Sequence, residues 1–161
     1  MNKLTRPVSL CTLLLGAALL GGGCVTSGTL EPSLGAARDR QAPDDSLFRA
    51  LGGHAGIASL SERFIRELAA DETTRAFFTR TDIGRFDRLI QEQMCAESGG
   101  GCTYTGDDMR TAHAGLGIER RHMNAVVEAL MRAMDKEGLP VATQNALLAI
   151  HAPKQADILG E

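Results

Sequence analysis

The stretch Tyr104-Thr105-Gly106-Asp107-Asp108-Met109-Arg110-Thr111-Ala112-His113-Ala114-Gly115-Leu116-Gly117-Ile118 lies between two long helical patterns and does not read as a turn joining them. Connections between helices of a bundle usually take about 2–8 residues, and the tract from Gly99 to Gly117 is longer. It is rich in glycine, yet it carries a Tyr, a Met and a His. That combination reads as the wall of a site.

Working outward, Asp82 is placed to cap a helix that carries Ile83, Phe86, Ile90 and Met94 on one face and stops at Gly99-Gly100-Gly101. Before it, Ile57, Leu60, Phe64 and Leu68 recur at spacings of three and four, the apolar stripe of a helix. A short helix from Ser46 to Leu51 ends at Gly52-Gly53, and Phe77-Phe78 occupy a short segment. Beyond the central tract, Met123, Val126 or Val127, Leu130 and Met134 stripe another long helix, ended by Gly138 and Pro140. A last helix is expected through Leu147, Leu148 and Ile150 toward Ile158. No β-branched alternation competes, so the fold class is all-α.

Composition narrows the function. The 161 residues are 43% hydrophobic, 23% charged and 4% aromatic, which fits one globular domain. Without Trp, the core must be built mostly from Leu, Ile, Ala, Val and Met. A net charge of −3 and a pI near 5.8 provide no basic footprint for nucleic acid. No uncharged apolar run reaches the length of a spanning helix.

The N-terminus has the pattern of an export signal. Lys3 and Arg6 precede the apolar run Val8–Leu20, too short to span, and Gly21-Gly22-Gly23 lead into Cys24. A buried N-terminal helix is the plainer alternative, but the glycines would end it and no amphipathic stripe is present. Residues 1–23 are thus expected to be a signal peptide, residues 24–45 a flexible tether and residues 46–160 the folded domain. The small residues before Cys24 resemble the bacterial lipoprotein box, although Leu20 lies four residues before the Cys instead of three. Cys24 is then a candidate for lipidation, against cleavage to a soluble periplasmic protein. The chain is expected to meet membrane only through that anchor. Cys95 and Cys102 remain as an even pair in an oxidising compartment, separated by a glycine-rich turn. They read either as a disulfide or as two free thiols at a helix end.

The central tract resembles the heme-proximal segment of group I truncated hemoglobins, in which Y-x-G-x-x-M-x-x-x-H-x-G-x-G-I surrounds the histidine that ligates heme iron. Further points of likeness are Leu51-Gly52-Gly53, Phe64, Ala76-Phe77-Phe78, Gly99-Gly100, Gly138-x-Pro140 and Ala152-Pro153. Together they cover about residues 46–158. The resemblance implies a two-over-two helical sandwich around heme b, with His113 as the iron ligand. It also implies that Phe64, Phe77, Phe78 and Phe86 surround the heme, that Met109 lines the proximal wall, and that Tyr104 and Arg110 are candidates for the heme propionates. A surface position is the plainer alternative for Arg110, and a core role for Met109. His54, His122 and His151 have no clear claim to the distal side.

On that side the chain departs from the family. Group I members commonly place a Tyr after the second-helix Phe and a Gln on the third helix, both donating to bound dioxygen. Here the matching residues are Ile65 and Ile90, with Phe86 one turn earlier. Gln91 would approach the site only after a one-residue shift in register. The resemblance therefore implies a monomeric, His-ligated heme protein for dioxygen, nitric oxide and carbon monoxide, with an apolar distal pocket. Expected roles are oxygen binding, nitric oxide scavenging or gas sensing in the cell envelope, served by an unidentified reductant. Two other classes remain open: a heme enzyme of nitric oxide dioxygenase, peroxidase or electron-transfer type, and a heme-free helical interaction module.

Overall fold

The computed structural model describes residues 44–159. The expected signal peptide, Cys24 and nearly all of the tether fall outside the described residues. Those described are helical, with no strand among them. Helices α1 (Ser46–Ala50), α2 (Gly53–Ala70), α3 (Ile83–Glu97), α4 (Met109–His113), α5 (Arg120–Lys136), α6 (Val141–His151) and α7 (Gln155–Ile158) follow in order. Tighter 3-10 turns occupy Arg75–Phe78 and Ala152–Lys154.

The helix starts are locally determined. Asp82 accepts the Arg85 N–H at 3.0 Å, and Asp108 accepts the Thr111 N–H at 2.9 Å. Each supplies a partner to an amide that the first helical turn leaves unpaired. At α5, His122 Nδ1 accepts the Glu119 N–H, closing a reciprocal cap. The stop of α3 is steric as well as local. Gly99 sits at φ 91°, and a Cβ there would lie 2.0 Å from the Asp44 carbonyl oxygen. Only glycine satisfies both conditions.

The expected stripe of α2 is the observed core face: Ile57, Leu60, Phe64 and Leu68 are all buried. α2 packs along α5 and α3. Ala129 and Ala133 of α5 are fully buried, in one core cluster with Met134 of the same helix, Met94 and Leu147. Truncating a buried Leu such as Leu60 in a core of this kind costs about 2–5 kcal/mol. Two details differ from expectation. Ile83 is 46% exposed because it begins α3, before the helix meets α2. The last helix is broken: α6 ends at His151, and Ala152-Pro153-Lys154 make a 3-10 turn before α7. Pro153 has no N–H to continue the α-helical ladder. The break folds α7 onto α4, the helix that carries His113.

Candidate functional site

The helices enclose a cavity of about 600 Å³. Phe64 and Leu68 of α2 border it, with Phe77 and Phe78 of the 3-10 turn. From α3 come Phe86, Leu89, Ile90 and Met94; from α4, Met109 and His113; from α5, Met123, Val126 and Leu130. The Phe78 and Phe86 rings pack on each other with centroids 5.1 Å apart. This lining is predominantly apolar and suits a large flat hydrophobic cofactor.

His113 is the residue that gives the cavity its chemistry. Its Nδ1 lies 2.7 Å from the Met109 carbonyl oxygen, four residues back on the same helix. A carbonyl can only accept, so Nδ1 carries the proton and Nε2 keeps its lone pair. A backbone acceptor on one imidazole nitrogen fixes the ring and leaves the other nitrogen able to ligate a metal. The four-residue spacing of Met109 and His113 thus serves His113 through the Met109 backbone, while the Met109 side chain borders the cavity. Tyr104 also borders it, and its hydroxyl donates to the Asp107 carbonyl at 3.1 Å. Gly106 makes that ring position possible, since a Cβ there would meet Tyr104 Oη at 2.2 Å. Burial first, then Asp107, pushes the Tyr104 phenol above its ordinary range, so it stays a neutral donor.

Most residues expected at the site border the cavity: Phe64, Phe77, Phe78, Phe86, Ile90, Tyr104, Met109 and His113. Ile65 does not. One residue turns a helix by about 100°, so with Phe64 and Leu68 on the cavity, Ile65 is half-buried on another face of α2. Arg110 is likewise not on the cavity wall; it pairs with Asp157 of α7 at 2.8 Å. Gln91 is held elsewhere: its amide donates to Asp87 Oδ2 at 2.9 Å, and Asp87 also accepts the buried Ser61 hydroxyl at 2.6 Å.

Sequence reasoning missed the polar rim. Arg85, Gln93, His151 and Lys154 all border the cavity. Glu97 gathers three of them: Gln93 Nε2 donates at 3.1 Å, Lys154 Nζ at 2.7 Å, and His151 Nδ1 lies at 3.5 Å. Burial pushes the His151 imidazole below its ordinary value, Glu97 opposes this and Lys154 adds to it. The signal was present in the spacing of His151, Lys154 or Gln155, and Ile158, which recur at three and four. His122 also borders the cavity, its ring edge-on to Phe77 at 4.9 Å.

An all-helical fold around an apolar cavity, with one imidazole readied for a metal, defines a heme-binding globin. Comparison with known proteins agrees. The bacterial-like globin family matches residues 46–158. The group 1 truncated hemoglobin GlbN of Mycolicibacterium paratuberculosis is 34% identical over 122 residues, covering 76% of this chain and 90% of that protein. The truncated hemoglobin of Tetrahymena pyriformis in its Fe(III) form has a TM-score of 0.69 at 25% identity, covering 71% of this chain and 98% of that one. The 2/2 hemoglobin of Synechococcus sp., with covalently attached heme, has a TM-score of 0.67 at 25% identity, with coverages of 71% and 98%. The chain belongs to the group I truncated hemoglobins. Its cofactor is heme, and it binds small diatomic gases.

Proposed function

We propose that His113 would hold the heme iron through Nε2 and that gas binds against an apolar wall supplied by α2 and α3. The observation that carries the first part is the 2.7 Å bond from His113 Nδ1 to the Met109 carbonyl, which leaves Nε2 as a pure donor of electrons. When bound, heme would supply the iron centre for a diatomic gas. The chain's own residues do the rest. Phe64, Phe78, Phe86 and Leu89 would exclude water and pack against the cofactor. Arg85 and Lys154 bring positive charge to the rim, where carboxylates of the cofactor can be met.

The second part rests on where the polar hydrogens go. Gln91 donates to Asp87, Gln93 donates to Glu97, and the buried Thr74 hydroxyl donates to the Leu68 carbonyl at 2.6 Å. Phe86, Leu89 and Ile90 offer none. A gas whose bound form gathers negative charge therefore finds no donor among Phe86, Leu89 and Ile90, whereas carbon monoxide and nitric oxide depend less on one. This favours reversible gas binding or scavenging over peroxidase chemistry, which needs a placed acid–base group.

We further propose that the protein is a monomer working in the cell envelope, exported by residues 1–23. Cys24 is the residue a lipid anchor would modify, and a separate reductant returns the iron to its ferrous form. Two measurements test these readings. His113→Ala should lose heme and regain it when imidazole is added; unchanged ligation in the variant would remove His113 from the role. Intact mass of the protein made in a bacterial host should show a chain beginning at Cys24, and an added diacylglyceryl mass separates an anchor from simple cleavage.

A further inference from the structure

Beside the heme cavity, α2, α3 and the loop after α3 bring together a second group of metal-binding side chains. One ligand atom from each of His54, Cys95 and Cys102 lies within 4.8 Å of the others. Cys95 is buried, Cys102 half-buried and His54 exposed. The His54 ring stands edge-on to Phe48 with centroids 5.0 Å apart, and its Nδ1 is 3.9 Å from Cys95 Sγ. The two sulfurs are joined as a disulfide, with Cα atoms 5.6 Å apart. A disulfide sulfur carries no charge, and the thiolate is the form that binds metal. The same three side chains therefore make one weak imidazole site when oxidised and an S₂N donor set when reduced.

We propose that Cys95, Cys102 and His54 form a redox-gated site for a thiophilic cation such as zinc(II), filled only in the dithiol state. Tetrahedral zinc takes sulfur at about 2.3 Å and imidazole nitrogen at about 2.0 Å, which sets a sulfur–nitrogen edge of about 3.5 Å and a sulfur–sulfur edge of about 3.8 Å. The Cys95–His54 edge of 3.9 Å is close to this already. The sulfur–sulfur edge must widen, and the Cys102–His54 edge, which lies within 4.8 Å, must settle at about 3.5 Å. Cys102 lies outside any helix, directly after Gly99-Gly100-Gly101, so its side chain is not fixed by the α3 ladder. Water takes the fourth position, since His54 is exposed.

The gating step balances with a small dithiol as reductant. Its thiolate attacks one sulfur, forming a mixed disulfide and releasing the other cysteine as thiolate. Its second thiol then closes on the first, so the reductant leaves as a cyclic disulfide, oxidised by two electrons. Cys95 and Cys102 have gained one electron each, and the two protons that the reductant's thiols lose pass to them through solvent. Zinc then displaces whatever thiol protons remain. Met94 adjoins Cys95 and Tyr104 follows Cys102 by two residues, and both border the heme cavity. The heme absorption band is thus a second reporter of the change.

The heme-loaded protein should be reduced anaerobically with dithiothreitol, freed of it by gel filtration, and equilibrated with zinc at buffered concentrations. Elemental analysis should find about one zinc per chain after reduction and none in the oxidised protein. Zinc should protect both thiols from iodoacetamide. His54→Ala, which removes an exposed side chain and leaves the fold in place, should weaken binding at least tenfold. Equal zinc in the oxidised and reduced forms would overturn the proposal. So would wild-type affinity in His54→Ala, or a reduced chain that loses its helical circular dichroism and binds none.

Discussion

Ile90→Gln is the sharpest probe of the apolar wall. Ile90 is half-buried on α3 and borders the cavity between Phe86 and Met94. The neighbouring amides cannot substitute for it, because Gln91 is tied to Asp87 and Gln93 to Glu97. A new amide at position 90 would place a donor where the wild type has only methyl groups. A hydrogen bond to a charged partner contributes about 1.5–3 kcal/mol, and each 1.4 kcal/mol is a factor of ten. Dioxygen should therefore dissociate about 10- to 150-fold more slowly from the variant, as measured by stopped-flow displacement with carbon monoxide. Carbon monoxide dissociation should change far less. The same amide lacks a partner in the gas-free protein, so the variant should lose about 1–3 kcal/mol of stability. A wild-type dioxygen rate that is already slow, or a rate within twofold in the variant, would refute the reasoning.

Other perturbations follow from the same contacts. Gly99→Ala forces a side chain into positive φ and against the Asp44 carbonyl, so it should lower stability by about 1–3 kcal/mol from the backbone alone, read from urea unfolding. Cys95→Ser removes the cross-link of a short loop, worth about 2 kcal/mol in the chain-entropy picture; a denaturation midpoint insensitive to reductant in the wild type would contradict it. His151 is held below its ordinary value of 6.5. The unfolded chain therefore binds that proton more readily, so native stability should fall as pH drops below about 6.5. Thermal melts should show a flatter pH dependence in His151→Gln. Ser61→Ala leaves Asp87 with one partner fewer inside the α2–α3 contact and should cost about 1–2 kcal/mol, with little effect on gas affinity.

Helix order and the candidate iron ligand were legible in the chain because both rest on short-range pattern. The spacing of Ile57, Leu60, Phe64 and Leu68 marks a buried face wherever that helix goes. Asp82 and Asp108 cap their own helices within three residues. His113 stands out through Met109 and the glycines around it, and its hydrogen bond is made within one turn. The interrupted last helix was also within reach, since Pro153 cannot donate an N–H.

What lay beyond the sequence depends on contacts between distant residues. Whether Ile65 or Phe64 faces the cavity is decided by how α2 rotates against α3 and α5. Gln91 is turned away by Asp87 and by Ser61 of another helix, and the Glu97 cluster forms only because α6 returns to the end of α3. His54 and Cys95, 41 residues apart, meet because α2 packs along α3. Residue identity and spacing set the all-α fold and the chemistry of the cofactor side, because those need only local periodicity and a strong nitrogen donor. The polarity of the gas side was left to tertiary packing, since a side chain's donors count there only after every competing acceptor has been placed.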